Sequence, residues 1–216
     1  MENVPAGRAL LEKDSQMESQ TANGGVATTS GIDGERVAAA IRELLSAIGD
    51  DPERPGVRAT PDRIARMYRE LFAGLHCDPR ELLKNGLDEA HDEMVIVRDI
   101  PFYSMCEHHL LPFYGVAHIG YIPAGHVVGI SKLARVVDVI AKRPQVQERL
   151  TTQVAECIQE CLQPEGVAVL IEAEHLCMTM RGVKKPGSRV VTSAVRGSFR
   201  RRAVTRSEFL ALVRGR

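Results

Sequence analysis

Soft metal ligands and spare imidazoles are gathered into two short segments, Met105-Cys106-Glu107-His108-His109 and, about seventy residues later, His175-Leu176-Cys177. If the first is a helical turn, Cys106 and His109 stand three residues apart on one face and His108 is rotated off it. If the second is a strand, His175 and Cys177 share a face and Leu176 turns away. The spacing therefore selects Cys106, His109 and Cys177 as convergent ligands and leaves His108 and His175 nearby but uncommitted. Three ligands suit a catalytic zinc ion that keeps its fourth position for water, whereas a structural site closes four protein ligands around the metal. Zinc lowers the pKa of bound water from ~15.7 to about 7, and a neutral imidazole alongside can then move the proton. A zinc ion that only staples two segments is the competing reading, and a fourth protein ligand would mark it.

A second constellation, Ser131-Lys132-x-x-Arg135, reads as the start of a helix carrying two cations one turn apart. Free backbone N–H groups at such a start attract anions, and a phosphate suits them. Arg181, four residues past Cys177, adds a cation near the metal in sequence. Gln147 and Glu148 open a later helix, where a carboxylate could accept two N–H bonds from a guanine-like edge or simply complement the helix dipole.

The elements that must position these groups follow from hydrophobic spacing. Ile41, Leu44, Leu45 and Ile48 recur at helical intervals before Gly49, and a Pro-rich turn follows. Thr60-Pro61 reads as a cap and a first-turn proline. The helix behind them carries Ile64, Met67, Tyr68, Leu71 and Phe72 on one face and Arg63 and Arg66 on or near the other. From Glu93 the pattern turns to strand, with Met94 to Val97 before the metal turn and Phe113 to Ile122 after it. Ser104-x-x-Glu107 resembles a capping box at the metal turn. Helices are expected from Ser131 and from about Gln145 to Leu162, and strands at about 166–176 and 189–197. A last helix is expected from a second capping box, Thr205-x-x-Glu208, burying Phe209, Leu212 and Val213. The sum is an α+β chain: a disordered arm over 1–32, a helical region over 33–92, and a largely antiparallel sheet with packed helices over 93–216.

Composition narrows the class. With 216 residues, 44% hydrophobic and 26% charged, the chain can bury a substantial core as an ordinary globular protein. It has no apolar run of about twenty residues, so no membrane span is expected. The amino terminus lacks the pattern of a secretory signal, and a cytoplasmic location is the expectation. Five cysteines, two of them claimed as thiolate ligands, fit a reducing compartment better than a disulfide framework. The 28 Lys and Arg balance 28 Asp and Glu, yet eleven of the cations against the single Glu208 lie after Met178. Without Trp and with 4% aromatic residues there is no stacking platform for nucleic acid, so an anionic small molecule or an acidic neighbouring subunit is the better partner for that charge.

Cys106-Glu107-His108-His109, Gly129-Ile130-Ser131-Lys132-Leu133-Ala134-Arg135, Arg143-Pro144-Gln145-Val146-Gln147-Glu148-Arg149-Leu150 and His175-Leu176-Cys177-Met178-Thr179-Met180-Arg181-Gly182 resemble, in the same order, the signature segments of the GTP cyclohydrolase I family. The resemblance runs from about residue 35 to the carboxyl terminus. It implies a tunnelling-fold subunit with a helical extension, assembled into pentameric rings and a face-to-face homodecamer with sites between subunits. The implied substrate is GTP, and the implied products are 7,8-dihydroneopterin triphosphate and formate, at the entry to tetrahydrofolate and other pterins. Zinc would be held by Cys106, His109 and Cys177, protons moved by His108 and His175, and the guanine edge gripped by Glu148 with Gln147. Ser131, Lys132, Arg135 and Arg181, with Arg63 and Arg66 from a neighbouring chain, would hold the triphosphate and ribose. A tunnelling-fold relative acting on another purine or pterin is the remaining alternative.

Overall fold

The computed structural model describes residues 31–84 and 86–215, so most of the expected amino-terminal arm lies outside it. The described chain opens on a helical hairpin, α1 (Gly34–Ala47) and α2 (Thr60–Leu71). Asp33 caps α1 by accepting from the Arg36 N–H, and Gly49, at φ +87, leads the chain out of it. A short 3-10 helix (Pro79–Leu83) follows, then β1 (Leu87–Asp88), β2 (Val95–Cys106), β3 (Pro112–Ile122) and β4 (His126–Val127). Next come α3 (Ile130–Ala141), β5 (Pro144–Gln145), α4 (Gln147–Leu162), β6 (Gly166–His175) and the single-turn α5 (Leu176–Thr179). The chain closes with β7 (Val190–Gly197), α6 (Ser198–Arg201) and α7 (Ala203–Arg214).

The main sheet has the order β5-β2-β3-β6-β7, antiparallel except for the short parallel pairing of β5 on the end of β2. Alternation along the strands sends Ile100, Phe102, Phe113, Ala117, Ile119, Val169 and Ile171 to one face. There they meet Leu133, Val136, Val137 and Ile140 of α3 and Leu150, Val154 and Ile158 of α4 in one core. Each such side chain, fully buried, contributes about 1.5–3 kcal/mol. A bulge between Val97 and Ile100 holds Asp99 at φ +55; the extra residue lets Val95 and Val97 before it and Ile100 and Phe102 after it all reach the same core. On the opposite face Phe209 of α7 packs with Phe199 and Ala168, while Tyr103 and Tyr114 stack at 5.8 Å between centroids and stay open to solvent. Close strand approach is visible at Gly115, where an added Cβ would lie 1.9 Å from the Glu172 carbonyl oxygen.

Several local expectations are corrected. Ser104 is no cap: it sits within β2, buried, and its hydroxyl donates to the Ala141 carbonyl at 2.7 Å. The residue before α7 is Arg202, three positions ahead of the expected cap Thr205, and no side chain caps it. Thr60 lies inside α2, after Ala59, again without a side-chain cap. A short capping motif is worth only about 1 kcal/mol, too little to fix an element's start by itself.

Candidate metal centre and active site

β2 ends on Cys106, and the chain reverses at once: the Cys106 carbonyl accepts from the N–H groups of His109 and Leu110, closing one turn in which Leu110 takes φ +49. That turn, not a longer helix, swings His109 back so that its Nδ1 lies 3.7 Å from the Cys106 sulfur. The second segment departs from the strand expectation. His175 is the last residue of β6 and Cys177 already belongs to α5, so the two do not share a strand face. The α5 turn instead carries the Cys177 sulfur to 4.0 Å from that of Cys106. Antiparallel register makes this possible: Phe113 pairs with His175 across β3 and β6, and Met105 pairs with Pro112 across β2 and β3.

The ligand atoms of Cys106, His109 and Cys177 all lie within 4.8 Å of one another. Tetrahedral zinc with Zn–S of about 2.3 Å and Zn–N of about 2.0–2.1 Å requires S···S of roughly 3.8 Å and S···N of roughly 3.6 Å. The observed 4.0 and 3.7 Å lie close to those separations, and the third pair of ligand atoms lies within 4.8 Å. Two thiolates and an imidazole are also the donor types that zinc selects. Among the described residues the cluster has three ligands, the number that leaves a coordination position open. Burial and then the adjacent Cys106 hold the Cys177 thiol above its ordinary range, a repulsion that a divalent cation reverses.

Two imidazoles flank the cluster in different settings. His108 is exposed, its Nε2 3.8 Å from the Glu107 carboxylate, which is itself paired with Arg149. Arg149 also donates to Gln145, and the Glu107 N–H donates to the Gln145 carbonyl, so the turn is tied to β5 and the start of α4. His175 is half-buried and stacks on Phe113 with centroids 4.6 Å apart and planes 2° apart. Its Nε2 lies 2.8 Å from the Gln147 side-chain oxygen. Burial pushes the His175 pKa below its ordinary value, with the Glu148 charge opposing. Phe113 and Arg149 were given no role on sequence grounds. Alternation along β3 puts Phe113 on the core face, but only strand register reveals that it meets His175.

The anion-binding candidates are elsewhere in the same chain. Ser131 and Arg135 are exposed and Lys132 half-buried at the start of α3, whose other end, Ala141, lies against Ser104 beside the metal turn. Ten residues of helix separate Ser131 from Ala141, about 15 Å at 1.5 Å per residue. The entry to α3 is moored at the far end of β3, where the Val128 N–H donates to the Tyr121 hydroxyl, eight residues or roughly 27 Å of strand from Phe113. Arg181 is exposed, its guanidinium 3.5 Å from the Cys177 carbonyl; Glu148 is exposed beside His175; Arg63 and Arg66 are exposed on α2. One chain thus unites Cys106, His109, Cys177, His175, Gln147, Glu148 and Arg181 at one end, and leaves Ser131, Lys132 and Arg135 at the other.

An α+β fold with a Cys-His-Cys cluster that could hold a metal ion, two imidazoles beside it and exposed cations is the arrangement of an enzyme. The model of the family "GTP cyclohydrolase I" matches residues 37–214, and the chain belongs to that family and to its tunnelling fold. A GTP cyclohydrolase 1 of Caldanaerobacter subterraneus is 59% identical over 183 residues, covering 84% of this chain and 97% of the relative. One from Acetivibrio thermocellus is 61% identical over 186 residues, covering 86% and 100%. Among solved structures, the archaeosine synthase QueF-Like in the apo form aligns at TM-score 0.41 and 21% identity over 48% of this chain and 93% of that one.

Proposed function

We propose that this chain catalyses the conversion of GTP and water to 7,8-dihydroneopterin triphosphate and formate, the first step toward tetrahydrofolate and related pterins, with zinc as cofactor. The observation that carries the reading is the Cys106, His109 and Cys177 cluster, whose spacing and donor types fit zinc and whose count leaves a position open. When bound, zinc supplies Lewis-acid polarisation of water for attack on the purine C8. His175, kept neutral by burial, and His108, solvent-facing and beside Glu107, accept and return protons as the imidazole ring opens, formate leaves and the six-membered ring closes. Glu148 receives the guanine edge with Gln147 beside it. Arg181 holds the charged end of the substrate from the metal side.

Ser131, Lys132 and Arg135, with Arg63 and Arg66, serve the triphosphate and ribose of a site built between chains. The separation of the two ends of α3 supports this, because it sets the two groups of residues apart within one subunit. A homodecamer of two pentamers, located in the cytoplasm, is the assembly we infer. It is supported by a main sheet whose β7 edge carries no further strand among the described residues, and by Leu44, Ile48 and Met67 exposed on the α1–α2 hairpin. No helix of the described chain is long and apolar enough to cross a membrane.

The test is incubation of zinc-loaded protein with GTP, following formate release and the fluorescence of the oxidised pterin, with a chelated control. Both products, lost on chelation, are expected; full zinc occupancy with GTP untouched refutes the reading. His108→Ala and His175→Ala should retain zinc and lower product formation by about 10²–10⁴-fold.

A further inference from the structure

Gln147, the first residue of α4, is 1% exposed, and every hydrogen of its side-chain amide is engaged. Its two N–H hydrogens are shared among three acceptors: the carbonyl oxygens of Ile171 at 3.1 Å and Val190 at 2.9 Å, and the Thr192 hydroxyl at 3.1 Å. Two of these partners are backbone carbonyls and can only accept. The third acts as an acceptor by elimination. The Thr151 hydroxyl spends its one hydrogen on the Gln147 carbonyl at 2.7 Å, so in the 2.6 Å contact between the two threonines it is Thr192 that donates. Turning the amide over would face its oxygen against two carbonyl oxygens and leave buried acceptors unpaired, which burial makes costly. The oxygen must therefore point the other way, to His175 Nε2 at 2.8 Å.

An amide oxygen accepts and cannot donate, so the bond to His175 exists only when Nε2 carries the hydrogen. We propose that Gln147 is a positioning residue that fixes the tautomer of His175, placing the hydrogen on Nε2 and the free lone pair on Nδ1. The parallel stack on Phe113 holds the plane of the ring, and the amide holds its rotation within that plane. Together they leave Nδ1 as the one nitrogen able to take up a proton. The inference rests on the reading of His175 as a proton carrier and deepens it. It also separates Gln147 from Glu148: an amide with no hydrogen to spare orients the base, while the exposed neighbouring carboxylate remains open to a ligand.

The experiment is ¹⁵N-histidine labelling of the zinc-loaded full-length assembly, read by solid-state NMR at about pH 8.5, well above the ordinary histidine pKa of about 6.5. His175→Ala assigns the signal. A single neutral form with Nε2 protonated and Nδ1 bare is expected; hydrogen on Nδ1, or an even mixture, overturns the proposal without any variant having to fold. Gln147→Leu should release the tautomer into a mixture and lower kcat on the order of 10–10²-fold with KM for GTP nearly unchanged. A raised KM with kcat intact would instead make Gln147 a grip on the substrate. Thr192→Val should preserve both tautomer and kcat, because the Ile171 and Val190 carbonyls still orient the amide; a changed tautomer there removes the argument. Wild-type protein that leaves GTP unreacted would refute the proposed activity, while the NMR reading still decides the role of Gln147.

Discussion

The two ends of α3 make a useful contrast. Beside its last residue, Ala141, one chain assembles a nearly finished centre in which three ligand atoms sit within 4.8 Å and two imidazoles stand close by. Beside its first residues stand Ser131, Lys132 and Arg135, six to ten residues or roughly 9–15 Å of helix from Ala141. The metal end is stabilised from within the subunit, through strand register, a buried amide and a stacked ring. Under the proposed function, the anion end serves a site to which a second subunit brings its metal end.

The largest test of this contrast is Cys177→Ser, which should remove bound zinc and activity together. Lewis-acid stabilisation is worth several kcal/mol, so a loss on the order of 10³-fold is expected, measured by metal analysis alongside turnover. Full zinc with normal turnover would remove Cys177 from the ligand set. Gly115→Ala should strike the same end through the fold: a Cβ 1.9 Å from the Glu172 carbonyl must part β3 from β6, costing about 3 kcal/mol in denaturant unfolding. Unchanged stability would mean that the register joining Phe113 to His175 tolerates more than its geometry implies.

At the other end, Arg135→Ala should weaken GTP binding by about 10- to 100-fold, the worth of one charged hydrogen bond, and leave guanosine binding nearly unaffected. Equal losses for both ligands would show that Arg135 does not meet phosphate. The sharpest test joins the two ends. Neither His175→Ala nor Arg135→Ala alone is fully active, but chains of the two kinds refolded together should recover roughly a quarter of wild-type turnover, since a quarter of shared sites receive an intact partner on each side. No recovery beyond the separate variants would place both residues in a site made by one chain.

The element pattern was largely legible because the core stripes are periodic. Leu133, Val136, Val137 and Ile140 on α3 and the alternating residues of β3 declare their faces without help. The capping motifs misled for the opposite reason. Ser104-x-x-Glu107 and Thr205-x-x-Glu208 match a local pattern, but the Ser104 hydroxyl finds a better partner in the Ala141 carbonyl, and α7 begins ahead of its expected cap. His175 and Cys177 were singled out through a shared strand face, which the structure does not have, since α5 interrupts the strand between them.

By itself, then, the chain's sequence determined which atoms could bind a metal and which cations could meet phosphate, because side-chain chemistry and spacing of three or four residues are local properties. Only the tertiary structure decided that Cys106 and Cys177, seventy-one positions apart, lie 4.0 Å from each other. It also decided that Gln147 faces His175. Those relations depend on strand register, and the free energy that sets them is the burial of one shared core rather than any short segment's own preference.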